Sequence, residues 1–293
     1  MTTAAIPKAP RILARLLFAY FIGVASSAQT GAQSLPPENI PITFYGKVVD
    51  QNERPVESAR VSFDLVISHF DQLDTETKPV SLMTDHSGLF TAAGFTAYGF
   101  NGISITKEGC KFSQRAPRSF VFGAGADYKS DPTKPTVFRM WRSSGMERLV
   151  APSWRGKMAC DGRTNRFVLS TGQPSTAGDF EIVCWKNPLN VPPPGNAHFD
   201  YKCEIAVVGG GIRPTDDEFT FLAPDSGYVP FFNVDRKKND QVWKGSVKQE
   251  FYIKTADGHF GWLLVEWYAW QTPPTIFRWE CAINPSGSRN LER

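Results

Sequence analysis

Histidine is scarce in this sequence, with four residues in 293, and the four stand apart along the chain. His86 and His259 lie beside turn signals, His198 beside a proline-rich stretch and His69 in a run of mixed charge. A catalytic triad needs its nucleophile and base within hydrogen-bond reach, and the G-x-S-x-G elbow that presents such a serine is missing. Asn284-Pro285-Ser286-Gly287 lacks the strand–elbow–helix context of that motif, so the histidines read as solvated turn residues. None of the five cysteines, Cys110, Cys160, Cys184, Cys203 and Cys281, falls in a C-x-x-C or C-x-x-H spacing. Neither a redox motif nor a zinc site is indicated. Gly209-Gly210-Gly211 is followed by neither the lysine nor the helix of a phosphate loop. No long segment repeats apolar residues at the helical period, and none beyond residue 28 is apolar enough to span a membrane. No cofactor and no metal are expected.

Acidic residues are also absent before Glu38, while Lys8, Arg11 and Arg15 lead into the short apolar run Leu16 to Val24. Ser26-Ser27-Ala28 then offers small residues at a cleavage position. Basic, apolar and small residues in that order are what a secretory signal needs, and the apolar run falls short of the roughly 20 residues of a stable span. Residues 1–28 are therefore expected to be a signal peptide, with export to the periplasm or beyond. The first cysteine is Cys110, which speaks against a lipid-modified N-terminus, and Arg11 and Arg15 are not adjacent, which favours the general secretory route. Removing the signal leaves 29 basic against 29 acidic residues. A neutral mature chain has no electrostatic footprint for nucleic acid.

After a leader without hydrophobic periodicity, residues 29–41, short alternating strands begin. Ile42, Phe44, Gly46 and Val48 share one face of the first, and Ala59, Val61, Phe63 and Leu65 one face of the second. Asp85 and Gly88 mark a turn in which the aspartate binds backbone amides and the glycine takes positive φ. Strands at this spacing suggest a sandwich more than a parallel sheet. Gly46-Lys47-Val48-Val49-Asp50, Arg54-Pro55-Val56 and Ala59-Arg60-Val61, followed by Thr84-Asp85-His86-Ser87-Gly88-Leu89-Phe90, resemble the opening motifs of carboxypeptidase regulatory-like domains. Lys107-Glu108-Gly109-Cys110 departs from that pattern, because the family's usual Gly-Tyr pair lacks its aromatic here. The resemblance covers residues 42–112. It implies a seven-strand-type, transthyretin-like β-sandwich of non-catalytic role, assigned to residues 42–135. No paired His and Glu ligands of a zinc peptidase accompany it.

All eight tryptophans lie at or beyond Trp141, which predicts a second, Trp-rich antiparallel β domain over residues 136–293. Asp161-Gly162 and Asp257-Gly258 each stand between alternating runs, the strongest short hairpin signal. Arg278-Trp279-Glu280 and the ending Asn284 to Glu292 resemble the C-terminal signature of exported bacterial proteins that pair such a module with a second β domain, which implies architecture alone. Cys184 and Cys203 sit in two strand-like runs around a proline-rich turn, so they are the candidate disulfide; separate buried thiols are the alternative. The run from Phe260 to Trp270 places Trp262, Leu264, Glu266, Tyr268 and Trp270 on one face. Trp262, Glu266, Tyr268 and Trp270 form the candidate ligand surface, for a glycan or an envelope protein. Glu266 also suits a general acid if buried, or a partner of Arg278 if not. Asp216, Asp217 and Glu218 offer hard oxygen ligands without the spacing of a Ca²⁺ loop. The reading is an all-β, non-enzymatic binding protein, with a carboxylate-dependent polysaccharide hydrolase and a structural envelope protein as alternatives.

Overall fold

The computed structural model describes residues 39–69, 74–123, 128–187, 198–271 and 274–293. The expected signal peptide, nearly all of the leader and the proline-rich turn at 188–197 lie outside them. The described residues from Asn39 to Arg293 form one compact unit, all-β, with 17 strands and no helix among them. The strands form four sheets around two main cores.

The first core lies between two four-stranded sheets. One has the order β4 (Leu89–Ala97), β1 (Ile40–Asp50), β8 (Thr136–Arg142), β6 (Cys110–Phe112). The other runs β3 (Asp74–Met83), β2 (Arg60–His69), β5 (Gly99–Thr106), β7 (Phe120–Val121). The alternation of β1 buries Ile42, Phe44 and Val48, as period-two geometry requires. The two turn aspartates act locally. Asp50 Oδ1 accepts from the Asn52 and Arg54 amides at 2.9 and 3.1 Å, and Asp85 Oδ1 from the Ser87 and Leu89 amides at 2.8 and 2.9 Å. Thr84 Oγ1 donates to Val56 O and accepts from Ala59 N, closing β2 against the turn.

Gly46 and Phe90 are cross-strand partners. A Cβ at Gly46 would stand 2.1 Å from the Phe90 ring, and that ring packs against Phe44 and Phe138. Gly46→Ala should therefore cost about 1–3 kcal/mol through overpacking, read as a lower urea midpoint at unchanged slope. An unchanged midpoint would show that the ring moves freely.

Strand β8 corrects one expected boundary. Composition places Val137 to Arg142 in the Trp-rich part, yet β8 pairs parallel with β1 and antiparallel with β6, and Phe138 and Met140 belong to the first core. The change of core follows Arg142, not residue 135, and the first sandwich has eight strands. The chain returns to β1 after some ninety residues, a pairing that local pattern does not encode.

The second core lies between the sheet β10 (Asp161–Phe167), β11 (Phe180–Asn187), β12 (Asp200–Val207), β14 (Phe231–Arg236) and the five-stranded sheet β13 (Gly211–Thr215), β15 (Val247–Lys254), β16 (Phe260–Trp267), β17 (Thr275–Ile283), β9 (Ser153–Met158). Asp257-Gly258 closes the β15–β16 hairpin, with Gly258 at φ 90°. Asp161-Gly162 does not close one. Strands β9 and β10 belong to different sheets, and Asp161-Gly162 forms an irregularity where β10 begins against β11. Positive φ at Gly162 serves the crossing between sheets. Gly209 to Gly211 makes a second crossing, where a Cβ at Gly210 would stand 2.0 Å from Lys254 O.

Strand β16 is central, between β15 and β17. Its Leu263, Val265 and Trp267, with Ala269 beyond, are fully buried in the second core, and Trp267 Nε1 donates to Thr275 Oγ1 at 2.7 Å. The segment after β17 returns along the chain. Leu291 N donates to Phe221 O and Ala223 N to Arg289 O, and Leu291 joins Ala223 and Tyr252 in a small third core. This return explains the serine- and asparagine-rich ending. Asn284, Ser286 and Ser288 all donate to Glu147. Glu292 accepts from Trp141, Ser143 and Ser144. The ending thus ties down the stretch that leaves the first core.

Candidate ligand cleft

A cleft of about 810 Å³ opens beside the outer face of β16. Lys111, Phe112, Gln114 and Arg115 come from the first sandwich; Thr215 to Phe221, Lys248 to Glu250, Trp262, Leu264 and Arg293 complete it. The β15–β16 register sets Tyr252 opposite Trp262 and Glu250 opposite Leu264, so Glu250 lies diagonal to the indole on the same face. Trp262 Nε1 donates to Glu250 Oε2 at 2.9 Å. Arg115 donates to the other Glu250 oxygen and, at 2.8 Å, to Asp216 O. Tyr252 Oη donates to Asp217 Oδ2 at 3.0 Å; burial, with the Asp217 charge, pushes this phenol well up. The Arg293 guanidinium lies 4.2 Å from the Trp262 ring centre and faces Phe221 at 5.6 Å. It donates to Thr220 O and Oγ1. Although the residue as a whole is exposed, desolvation of the guanidinium between Thr220 and the two rings draws its pKa down against the opposing pull of Glu250 and Tyr252.

Of the four residues of the expected ligand surface, only Trp262 lines this cleft. Glu266 is ion-paired to Lys248 at 2.9 Å and to Arg278 at 3.3 Å, with 8 % of its surface exposed. Tyr268 and Trp270 lie beyond the end of β16, and the Trp270 amide donates to Gly245 O. Trp270 is 52 % exposed. Strand alternation identified the face, but the strand ends before the last two rings. Glu250, Arg115 and Arg293 were not legible as site residues. Arg115 lies in a Gly-, Pro- and Ser-rich connection, and Arg293 reaches the indole only because the chain folds back. Asp216, Asp217 and Glu218 do line the cleft.

Cys184 and Cys203 are opposite one another on β11 and β12, with thiol sulfurs 3.5 Å apart in the second core. Burial, together with Cys203, raises the Cys184 thiol well above its ordinary range. The described residues contain no group of three or more His, Cys, Asp and Glu able to hold a metal ion. Among the described residues there is no helix long and apolar enough to cross a membrane. No protein-family model and no curated protein matches the chain.

Proposed function

We propose that the protein is an exported, non-enzymatic binding module that takes an uncharged glycan segment in the cleft around Trp262. The observation that carries this is the lining itself. Lys111, Arg115, Lys248 and Arg293 balance Asp216, Asp217, Glu218 and Glu250, around the rings of Trp262, Phe219 and Phe221. A charged polymer is bound through a field of one sign, which this lining does not supply. A sugar ring offers apolar faces for aromatic contact and hydroxyls for donors and acceptors on the rim, the composition common to small-ligand sites. The secretory pattern of residues 1–28 and the resemblance of residues 42–112 to a non-catalytic regulatory-like domain support the same reading. Hydrolysis by two carboxylates is less favoured, because Glu266 lies outside the cleft and Glu250 is taken up by Arg115 and Trp262.

The test is retention of the purified protein on a panel of polysaccharides and peptidoglycan, each incubation assayed for released sugars. Retention without product is expected. Trp262→Ala should weaken it by about 2 kcal/mol, roughly thirtyfold, as for a central aromatic contact; because the ring is partly buried against Ala223, Tyr252 and Leu291, the loss is read on protein that a melting curve shows to be folded. Product release would overturn the non-enzymatic reading. Absence of retention on every polymer would overturn the glycan.

A further inference from the structure

The proposed glycan site is partly filled by the protein itself. Building on that reading of the cleft, we propose that Arg293 is a gate over the Trp262 ring, which a ligand must lift before it can stack. The residues before it are locked: Leu291 is fully buried, and Glu292, almost fully buried, holds four donors from the Trp141–Ser144 stretch. Arg293 itself is held differently. Its guanidinium has two bonds to Thr220, at 3.3 and 2.9 Å, a 3.3 Å bond to Leu291 O of its own segment, and the two ring faces. No carboxylate pairs with it among the described residues. Lys111 Nζ donates to its carbonyl, so its backbone is fixed while the side chain has four rotatable bonds. The Asp216 and Glu218 side chains, which hold no ion pair among the described residues, stand in the same cleft to receive the guanidinium when it swings away.

A cation on an indole face contributes on the order of 0.5–2 kcal/mol, and a ligand that competes for that face must overcome it. Removing the guanidinium should therefore tighten binding by roughly two- to thirtyfold. Such a gate favours ligands long enough to contact the rest of the cleft, since one sugar ring replaces one cation for little net gain.

The experiment compares the full chain with Arg293→Ala, using two readouts. The first is acrylamide quenching of Trp262 fluorescence, taken as the difference between each protein and its Trp262→Phe counterpart. The second is affinity for cellohexaose, chitohexaose and a soluble peptidoglycan fragment. A melting curve like that of the full chain shows that Leu291 and Glu292 still hold the segment. Expected are higher Trp262 quenching and tighter binding of whichever probe the full chain binds. Unchanged quenching overturns the gate. So does a probe that binds the full chain as well as or better than the variant, because Arg293 is then a ligand contact. Raised quenching with no probe bound by either protein supports the shielding and overturns the glycan reading instead.

Discussion

Replacing Glu292 by Gln should remove about 3 kcal/mol of folding stability at neutral pH and flatten the acid limb of the stability curve. Burial pushes this carboxyl up, but Ser143, the Ser144 amide, Trp141 and the Ser144 hydroxyl outweigh it and bring its pKa down to about 2. The ordinary value is 4.5. The folded protein therefore holds the carboxylate more tightly than the unfolded chain does. The stability this contributes is fully present above pH 4.5 and is lost as the pH falls towards 2. At about 1.4 kcal/mol for each tenfold step, the difference comes to about 3 kcal/mol. Asp50 adds to the same slope, because the Asn52 and Arg54 amides and Arg142 hold it down against the upward push of burial. Urea unfolding at pH 7, 4.5 and 3 measures the effect. Glu292→Gln should start lower and lose less stability than the parent over this range. Equal losses would show that the return of the chain at Glu292 contributes little.

The alkaline limit has the opposite sign and a different origin. Burial, with a smaller contribution from Asp179, pushes the Cys281 thiol from 9.0 up to about 12. Because the folded value is raised, this stability is fully present below pH 9 and is lost as the pH rises through 12. It amounts to about 4 kcal/mol at the upper limit and about 3 kcal/mol by pH 11. Burial also raises Tyr228 to about 12, against Arg213 and Arg289, and steepens the same slope from pH 10 upwards. In reducing buffer, Cys281→Ala should give up some packing at pH 8 yet lose markedly less stability than the parent between pH 9 and 11. The near-ultraviolet circular dichroism of the aromatic core reports the transition. Parallel slopes for the two proteins would sink the assignment to Cys281. Closing a bond between Cys184 and Cys203 takes the buried Cys184 thiol out of titration, so oxidised protein should show a shallower alkaline slope while the Cys281 contribution persists.

Much of this architecture follows from neighbours along the chain. Alternation over Ile42 to Val48 and over Leu263 to Trp267 buries those residues because successive side chains of a strand point to opposite faces. The turns at Asp50 and at Asp85 to Gly88 follow from side chains that satisfy amides two and four residues away. An all-β fold with a Trp-rich second part and a central Trp262 strand was therefore determined by sequence alone. The rest depended on contacts between distant segments. Asp161-Gly162 carries the local preference of a hairpin turn, but the sheet that each flanking strand joins decides whether the chain doubles back or crosses. Strand β8 belongs to the first core because the edge of β1 was open to a parallel partner. The cleft lies furthest from local reasoning. Arg115, Glu250, Trp262 and Arg293 span 178 positions, and they meet because Leu291 and Glu292 each find buried partners that hold the ending against Phe221 and the Trp141–Ser144 stretch. Local sequence sets which way a side chain points, whereas which residues it meets depends on loop closures and buried hydrogen bonds that exist only once the whole chain is folded.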